Sequence, residues 1–255
     1  GTDASFYRQI PKVVIRSDGE EEISKIVKLC QKHKLPFTFR AAGTSLSGQS
    51  CTDSVLIVAG KHWEQYELGI NQESIKLQPG IVGARVNQIL KPFGRVFPPD
   101  PASIGSAMVG GIVVNNASGM NCGVHANSDR MLISARIILT DGTILDTGNK
   151  DSRERFARSH PEFISRIEAL RDRVRADKEL SDRIAKKYSI KNVTGLNLRP
   201  LIACDDPFDI IAHSIVGSEG TLAFLSEVTM KTLKDYPFKA SAPPTMSINS
   251  LVMTF

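Results

Sequence analysis

Apolar positions in this 255-residue chain fall in short bursts with two different periods. β-Branched Val13-Val14-Ile15 is followed by Ser17-Asp18-Gly19-Glu20, which has the form of a capping box. Ile23, Ile26, Val27 and Cys30 then recur at helical spacing. That order predicts a strand over 13–16 and an amphipathic helix over 20–33. Pro36 ends the connection, and Phe37-Thr38-Phe39-Arg40 reads as a short buried strand, the second of a βαβ unit. Further strands are expected at 55–58 and 74–77. Val82, Val86, Ile89 and Leu90 predict a helix that stops at Pro92 and Gly94. Residues 135–139 and 144–145 form a hairpin around Asp141-Gly142.

From about 151 the pattern changes. Phe163, Ile164, Ile167, Leu170 and Val174 predict a helix to about 175, with more helix up to 187. Ile211 to Val216 is apolar, Gly217-Ser218-Glu219-Gly220 is a turn, and 221–229 reads as the last strand. No internal repeat or low-complexity segment interrupts the chain. Ala240 to Pro244 resembles a linker, and the run Leu251 to Phe255 is apolar, so an excerpt of a longer protein is expected.

Charge changes the picture little. The formal net charge is +5. Between Lys150 and Lys191 there are 13 Lys/Arg and 8 Asp/Glu, a local excess of +5, so the remainder is neutral. Interspersed acids and bases on helices read as a solvated face, with a docking surface for a missing domain, an acidic partner or a membrane as the other reading. A nucleic-acid partner is not expected. No apolar run is long enough to span a bilayer, and no signal peptide is recognised at the start of the chain. Cys30, Cys51, Cys122 and Cys204 are scattered and form no C-x-x-C pair, which argues against a metal site and fits a reducing compartment. The expected location is cytoplasmic, with peripheral attachment at the inner face of the membrane as its variant.

The candidate chemistry lies in three small-residue segments. After the strand 37–40 the chain runs Arg40-Ala41-Ala42-Gly43-Thr44-Ser45-Leu46-Ser47-Gly48. Such a turn is ordinarily only a turn. At a strand's carboxyl end, however, its backbone N–H groups can converge on an anion such as a pyrophosphate. The second segment, Pro98 to Gly119, begins with prolines that pre-set its backbone. It contains Gly110-Gly111 for close approach, and Asn116 and Ser118 for hydrogen bonds to a planar, polar-edged ligand such as an isoalloxazine ring. It is expected to be a rigid loop throughout. The third is Gly217 to Thr221.

In order and spacing, Arg-Ala-Ala-Gly-Thr-Ser, then Pro-Asp-Pro…Val-Gly-Gly…Asn-Asn-Ala-Ser-Gly, then Val-Gly-Ser-Glu-Gly-Thr-Leu resemble the FAD-binding domain of the vanillyl-alcohol oxidase / p-cresol methylhydroxylase (PCMH) superfamily. Within it the chain is most similar to the FAD-linked D-2-hydroxyacid dehydrogenases, the group of D-lactate dehydrogenase and the glycolate oxidase FAD subunit. The resemblance runs from about Pro11 to Leu233. It implies an α+β PCMH-type fold of two α/β subdomains with FAD between them. The first would cover about 1–98 and the second about 99–235, with a helical insert at about 151–192. Residues 236–255 would be a linker and the start of a missing cap domain. By the same resemblance Arg40, Ala41, Ala42, Gly43, Thr44, Ser45 and Gly48 would hold the FAD pyrophosphate. Pro99, Asp100, Ser103, Gly110, Gly111, Asn116, Ala117, Ser118 and Gly119 would line the rest of the cofactor, and Glu219 and Gly220 would close the site.

The implied reaction is oxidation of a D-2-hydroxy acid, D-lactate first, by hydride transfer to flavin N5, with the substrate groups and the base in the cap. No catalytic residue is assigned within the chain. Large members of the group continue into an iron–sulfur domain, and the electron acceptor is not named by the sequence. The alternatives are a non-catalytic flavin- or nucleotide-binding module and a superfamily oxidase of another alcohol or a sugar lactone. Two departures matter. Ala41 and Ala42 stand where the family often has glycine. Thr44 stands where covalently flavinylated members often carry histidine, so non-covalent FAD is expected. Of the five histidines, His33 is expected at a helix end, His160 at the surface or a helix start, and His213 in the core. His125, beside the flavin-side segment, is the one to test, and no pair has metal spacing.

Overall fold

In the computed structural model, residues 1–119 and 122–236 are described; the linker and apolar tail expected at 236–255 lie almost wholly outside them. Two sheets form the frame. The smaller is parallel, in the order β1 (Val13–Arg16), β3 (Val55–Val58), β2 (Phe37–Arg40). The strands of the βαβ unit are therefore not neighbours: β3 slides between them and pairs with both in register at Val58, with Arg16 on one side and Arg40 on the other. The connecting helix α1 (Glu20–Lys32) buries Ile23, Val27 and Cys30. Its acidic first turn and basic last turn suit the helix dipole. Its cap differs from the expected box. Gly19 caps without a side chain, and Glu22 reaches back to accept the Asp18 N–H at 2.7 Å.

The larger sheet is antiparallel, in the order β4 (Tyr66–Leu68), β5 (Ser74–Leu77), β9 (Phe224–Lys231), β7 (Leu132–Ile138), β8 (Ile144–Asp146). Sheet membership changes between Val58 and Tyr66. The last strand starts at Phe224, where pairing with Ile138 begins. Helix α2 (Gly83–Leu90) forms as its apolar spacing predicts and is followed by the short strand β6 (Arg95–Val96), which pairs with β10 (Leu233–Lys234).

Within the segment expected to be loop throughout lies α3 (Val109–Val114). Val109, Ile112 and Val113 are buried at helical spacing, and that packing outweighs the low helix propensity of Gly110-Gly111. After α4 (Ser128–Met131) and the β7–β8 hairpin comes the expected helical insert, as α5 (Lys150–Ser159), α6 (Pro161–Ala176) and α7 (Lys178–Lys187). Then follow α8 (Pro200–Ala203) and α9 (Pro207–Ile215), the helix adopted by the apolar 211–216 run. Val174, Ile184, Leu201 and Ile210 give these helices their own small core.

The two sheets are joined on one side. Phe224 of β9 packs against Phe39 and Trp63, with ring centroids 5.0 and 5.1 Å apart, and Ile138 joins the same apolar cluster as α1. Above it Arg136 of β7 makes a bidentate pair with Glu20 of α1 at 2.6 and 2.7 Å, and Ser226 donates to the same carboxylate at 2.6 Å. Burial favours the protonated Glu20, but these hydrogen bonds outweigh it and hold the carboxyl below its usual range.

Candidate functional site: a cleft between the sheets

Beside that joint an open cleft runs between the end of β2 and the start of β9. Its floor and walls bring all three small-residue segments together. Arg40, Ala41, Ala42, Gly43, Thr44 and Ser45 line one side, Ser103, Gly110, Gly111 and Ala117 the other, and Glu219 and Gly220 an end. Six of the expected residues lie outside the lining. Pro99 is buried, and Asp100 donates its N–H to Cys122 Sγ at 3.2 Å. Gly119 approaches the Asp100 carbonyl so closely that no Cβ could fit between them. Gly48 packs on the Tyr7 ring, and Asn116 is buried with φ 47°, in the left-handed region. Ser118 has a buried Oγ without a hydrogen-bond partner.

The chemistry of the lining is mostly backbone. Gly43 sits at φ 71°, which turns the loop after β2 and leaves room for the Arg40 guanidinium over it. Among the described residues the N–H groups from Ala42 to Ser45 make no hydrogen bond, whereas the Gly43 carbonyl accepts from Ala4 and the Arg40 carbonyl from Ala59. A row of free donors at a strand's carboxyl end suits an anion. Across the cleft, a side chain at Gly111 would meet only Ala41 Cβ, at 3.9 Å, so it would project into the ligand space. The unspent N–H row and the open face of Gly111 fit an anionic dinucleotide. Arg40 and Glu219 are the only charged residues among those lining the cleft. Glu219 has φ 54° and is fixed by its N–H to the Val114 carbonyl at 2.8 Å.

Two features carry no signal in the sequence. Residues 1–10, ahead of the first strand, fold over the loop. Arg40 Nη1 donates to the Thr2 carbonyl at 2.6 Å, and Ser50 Oγ donates to Asp3 at 3.2 Å. Partial burial would raise the Asp3 carboxyl, but hydrogen bonds from Ser5, Ser50 and Cys51 hold it below its usual range. Gln49, Ala107, Met108, Asn115 and the start of β9 also line the cleft. They carry no motif of their own and are delivered by their neighbours.

The histidines fall elsewhere. His33 caps the end of α1, and His62 approaches Asp18 at 3.5 Å. His160, between α5 and α6, lies 2.9 Å from Asp141 and stacks on Phe156. His213 is a largely buried residue with a satisfied polar partner, as expected: its Nδ1 lies 3.3 Å from the buried Asp129 carboxylate. Its place on the inner face of α9 is set by the apolar residues around it, and Asp129 supplies the polar partner that burial requires. His125 is exposed and outside the cleft lining. No group of three or more His, Cys, Asp or Glu side chains able to hold a metal occurs among the described residues. No helix among them is long and apolar enough to cross a membrane.

A mixed α+β frame with an open cleft between two sheets, one wall of it offering unbonded backbone N–H groups, suits a large anionic cofactor. Comparison with known proteins agrees. The family model described as FAD binding domain matches residues 11–148, and the chain belongs to that family, with FAD as its cofactor. The D-2-hydroxyglutarate dehydrogenase of Haemophilus influenzae is 27% identical over 249 residues, covering 91% of this chain and 23% of that protein. The glycolate oxidase subunit GlcD of Bacillus subtilis is 27% identical over 233 residues, covering 90% of this chain and 48% of the subunit. The chain thus spans between a quarter and a half of these relatives. Among solved structures, 6-hydroxy-D-nicotine oxidase from Arthrobacter nicotinovorans superposes over 92% of this chain and 39% of its own, with a TM-score of 0.58 at 10% identity. That likeness establishes the PCMH-type fold.

Proposed function

We propose that this chain is the FAD-holding part of a dehydrogenase acting on D-2-hydroxy acids, with D-lactate and D-2-hydroxyglutarate the first substrates to test. The observation that carries the reading is the row of unbonded N–H groups from Ala42 to Ser45 facing Gly110-Gly111 across the cleft. The names of the relatives support the substrate class.

When bound, FAD would supply a hydride acceptor for the substrate Cα. The residues of this chain do the holding. Ala42 to Ser45 offer backbone donors to the diphosphate. Gly111 lets the cofactor lie against the backbone, and Gly110, closed by Pro79, holds α3 close enough to present it. Thr44 provides no nucleophile of the kind that flavinylated relatives use, so the cofactor is held without a covalent bond. Among the described residues Glu219 is the one acid lining the cleft, and no residue of this chain is assigned as the base that takes the hydroxyl proton. The two sheets correspond to the two subdomains, and the remaining partners are the substrate, a cap domain, an iron–sulfur domain and an electron acceptor.

The test has two arms. Apoprotein is titrated with FAD and followed by absorbance, and binding is expected. The longer protein containing this chain is then assayed with D-lactate, D-2-hydroxyglutarate and glycolate using an artificial acceptor. Turnover of none of them would reject the substrate class while leaving the cofactor intact.

A further inference from the structure

A dense polar contact set lies beside the cleft rather than in it. Asp129 of α4 is 3% exposed. Its carboxylate accepts from Asn197 Nδ2 at 2.6 Å and Arg199 Nη1 at 3.0 Å, and meets His213 Nδ1 at 3.3 Å. Arg130 Nε lies 4.0 Å away. Burial would raise the acid, but His213, Arg199 and Asn197 outweigh it and hold the carboxyl below its usual range. Its partners come from the stretch that leaves the helical insert and from α9.

The surroundings of this knot separate it from an ordinary core staple. The Asp129 N–H points at Asn116 Oδ1, 3.4 Å away. Asn116 holds a left-handed turn, a costly conformation that persists only where neighbours determine it, and that turn launches Ala117-Ser118-Gly119. Lys191, just after α7, donates to the Gly119 carbonyl at 2.9 Å. Asn197 also underlies the third cleft segment. A Cβ on Gly217 would sit 2.9 Å from the Gly195 carbonyl oxygen and 3.7 Å from Asn197 N. Residue 129, anchored by its carboxylate, therefore reaches one small-residue segment through its backbone N–H, and its partner Asn197 lies by its backbone against a second. No hydrogen bond or ion pair joins Asp129 to the remaining segment, Arg40 to Gly48, among the described residues.

We propose that Asp129 is a positioning residue for the flavin half of the dinucleotide: its carboxylate, held by Asn197, Arg199 and His213, anchors α4 so that the residue 129 N–H holds Asn116 and the 116–119 segment in place. The proposal rests on the FAD reading above. It makes a selective prediction, because the diphosphate loop lies outside these contacts. Asp129 controls how tightly and in what orientation the isoalloxazine end is held, and it leaves the ADP half alone.

The experiment compares FAD with ADP as probes of the same chain, by titration calorimetry and by absorbance and circular dichroism of the bound flavin. Asp129→Asn keeps the size and removes the charge. It should weaken FAD by about tenfold and change the dichroism of the flavin bands, with ADP affinity within about twofold of wild type. A parallel loss of both ligands, or an unchanged FAD affinity, overturns the proposal. If Asp129→Asn does not fold, Arg199→Met carries the test by removing one of the partners that anchor the carboxylate. It should weaken FAD by about threefold with ADP unchanged, and an unchanged affinity and flavin signal overturns the proposal. Wild-type protein that binds neither ligand rejects the FAD reading itself. Wild-type protein that binds both, with variants indistinguishable from it, rejects only the role of Asp129.

Discussion

The two walls of the cleft are built on opposite plans. On the side of the three-stranded sheet, the loop after β2 is half-buried and leaves four consecutive N–H groups unbonded. It is secured mainly from outside, by Thr2, Ala4 and Tyr7. On the side of the five-stranded sheet, α3 and the 217–220 turn stand on a large apolar core and beside the Asp129 knot. The contrast teaches how a cofactor site divides its labour. One wall keeps donors unspent for a charged ligand, and the other is rigid enough to present glycine backbone to it.

The largest effect that would break this comparison is expected from filling the rigid wall. Gly111→Leu should lower FAD affinity by at least about 100-fold while the apoprotein keeps its melting temperature, because the added side chain enters the cleft and not the core. Calorimetric titration and a thermal melt check both halves. Next comes the loosely tied wall. Arg40→Met removes the bond to Thr2 and the guanidinium over Gly43. FAD affinity should fall about tenfold and the first ten residues should become accessible to limited proteolysis.

The joint between the walls is a smaller lever. Glu20→Gln should cost about 1–2 kcal/mol near neutral pH, measured by denaturant unfolding, since it breaks a partly exposed bidentate pair. Because the Glu20 carboxyl is held low, its stabilisation is present above the unfolded carboxyl value of 4.5 and is lost as pH falls through the folded value. The gap between variant and wild type should close below that pH. Glu227, in the same polar group, points the other way. Burial pushes it up, reinforced by Asp146 and Glu20 and opposed by Lys76 and Arg136. Its favourable contribution belongs to low pH and is lost as pH rises through the folded value. Glu227→Gln should therefore be neutral or stabilising by up to about 1 kcal/mol at pH 7, the smallest of these effects.

Much of the frame was legible from local pattern. The βαβ unit, the hairpin at Asp141-Gly142 and the helical insert follow from apolar spacing and turn residues, and the three small-residue segments do converge. Local pattern was blind where tertiary packing decides. Helix α3 hides in a glycine-rich run because its three apolar residues act only once they meet the sheet. Insertion of β3 between β1 and β2 is a matter of long-range pairing. The fold of residues 1–10 over the loop depends on Arg40 and Ser50, some forty residues away. Asp129 looked unremarkable in sequence because its partners lie 68 to 84 residues distant.

The measurement that bears most directly on the central claim is the absorption spectrum of the wild-type chain after incubation with FAD and gel filtration, repeated after denaturation. A cleft with one donor-rich and one rigid wall predicts flavin bands that travel with the protein, and intact FAD released in full when it unfolds. A colourless protein that takes up no flavin would contradict the account, and flavin that stays attached after denaturation would contradict its non-covalent hold.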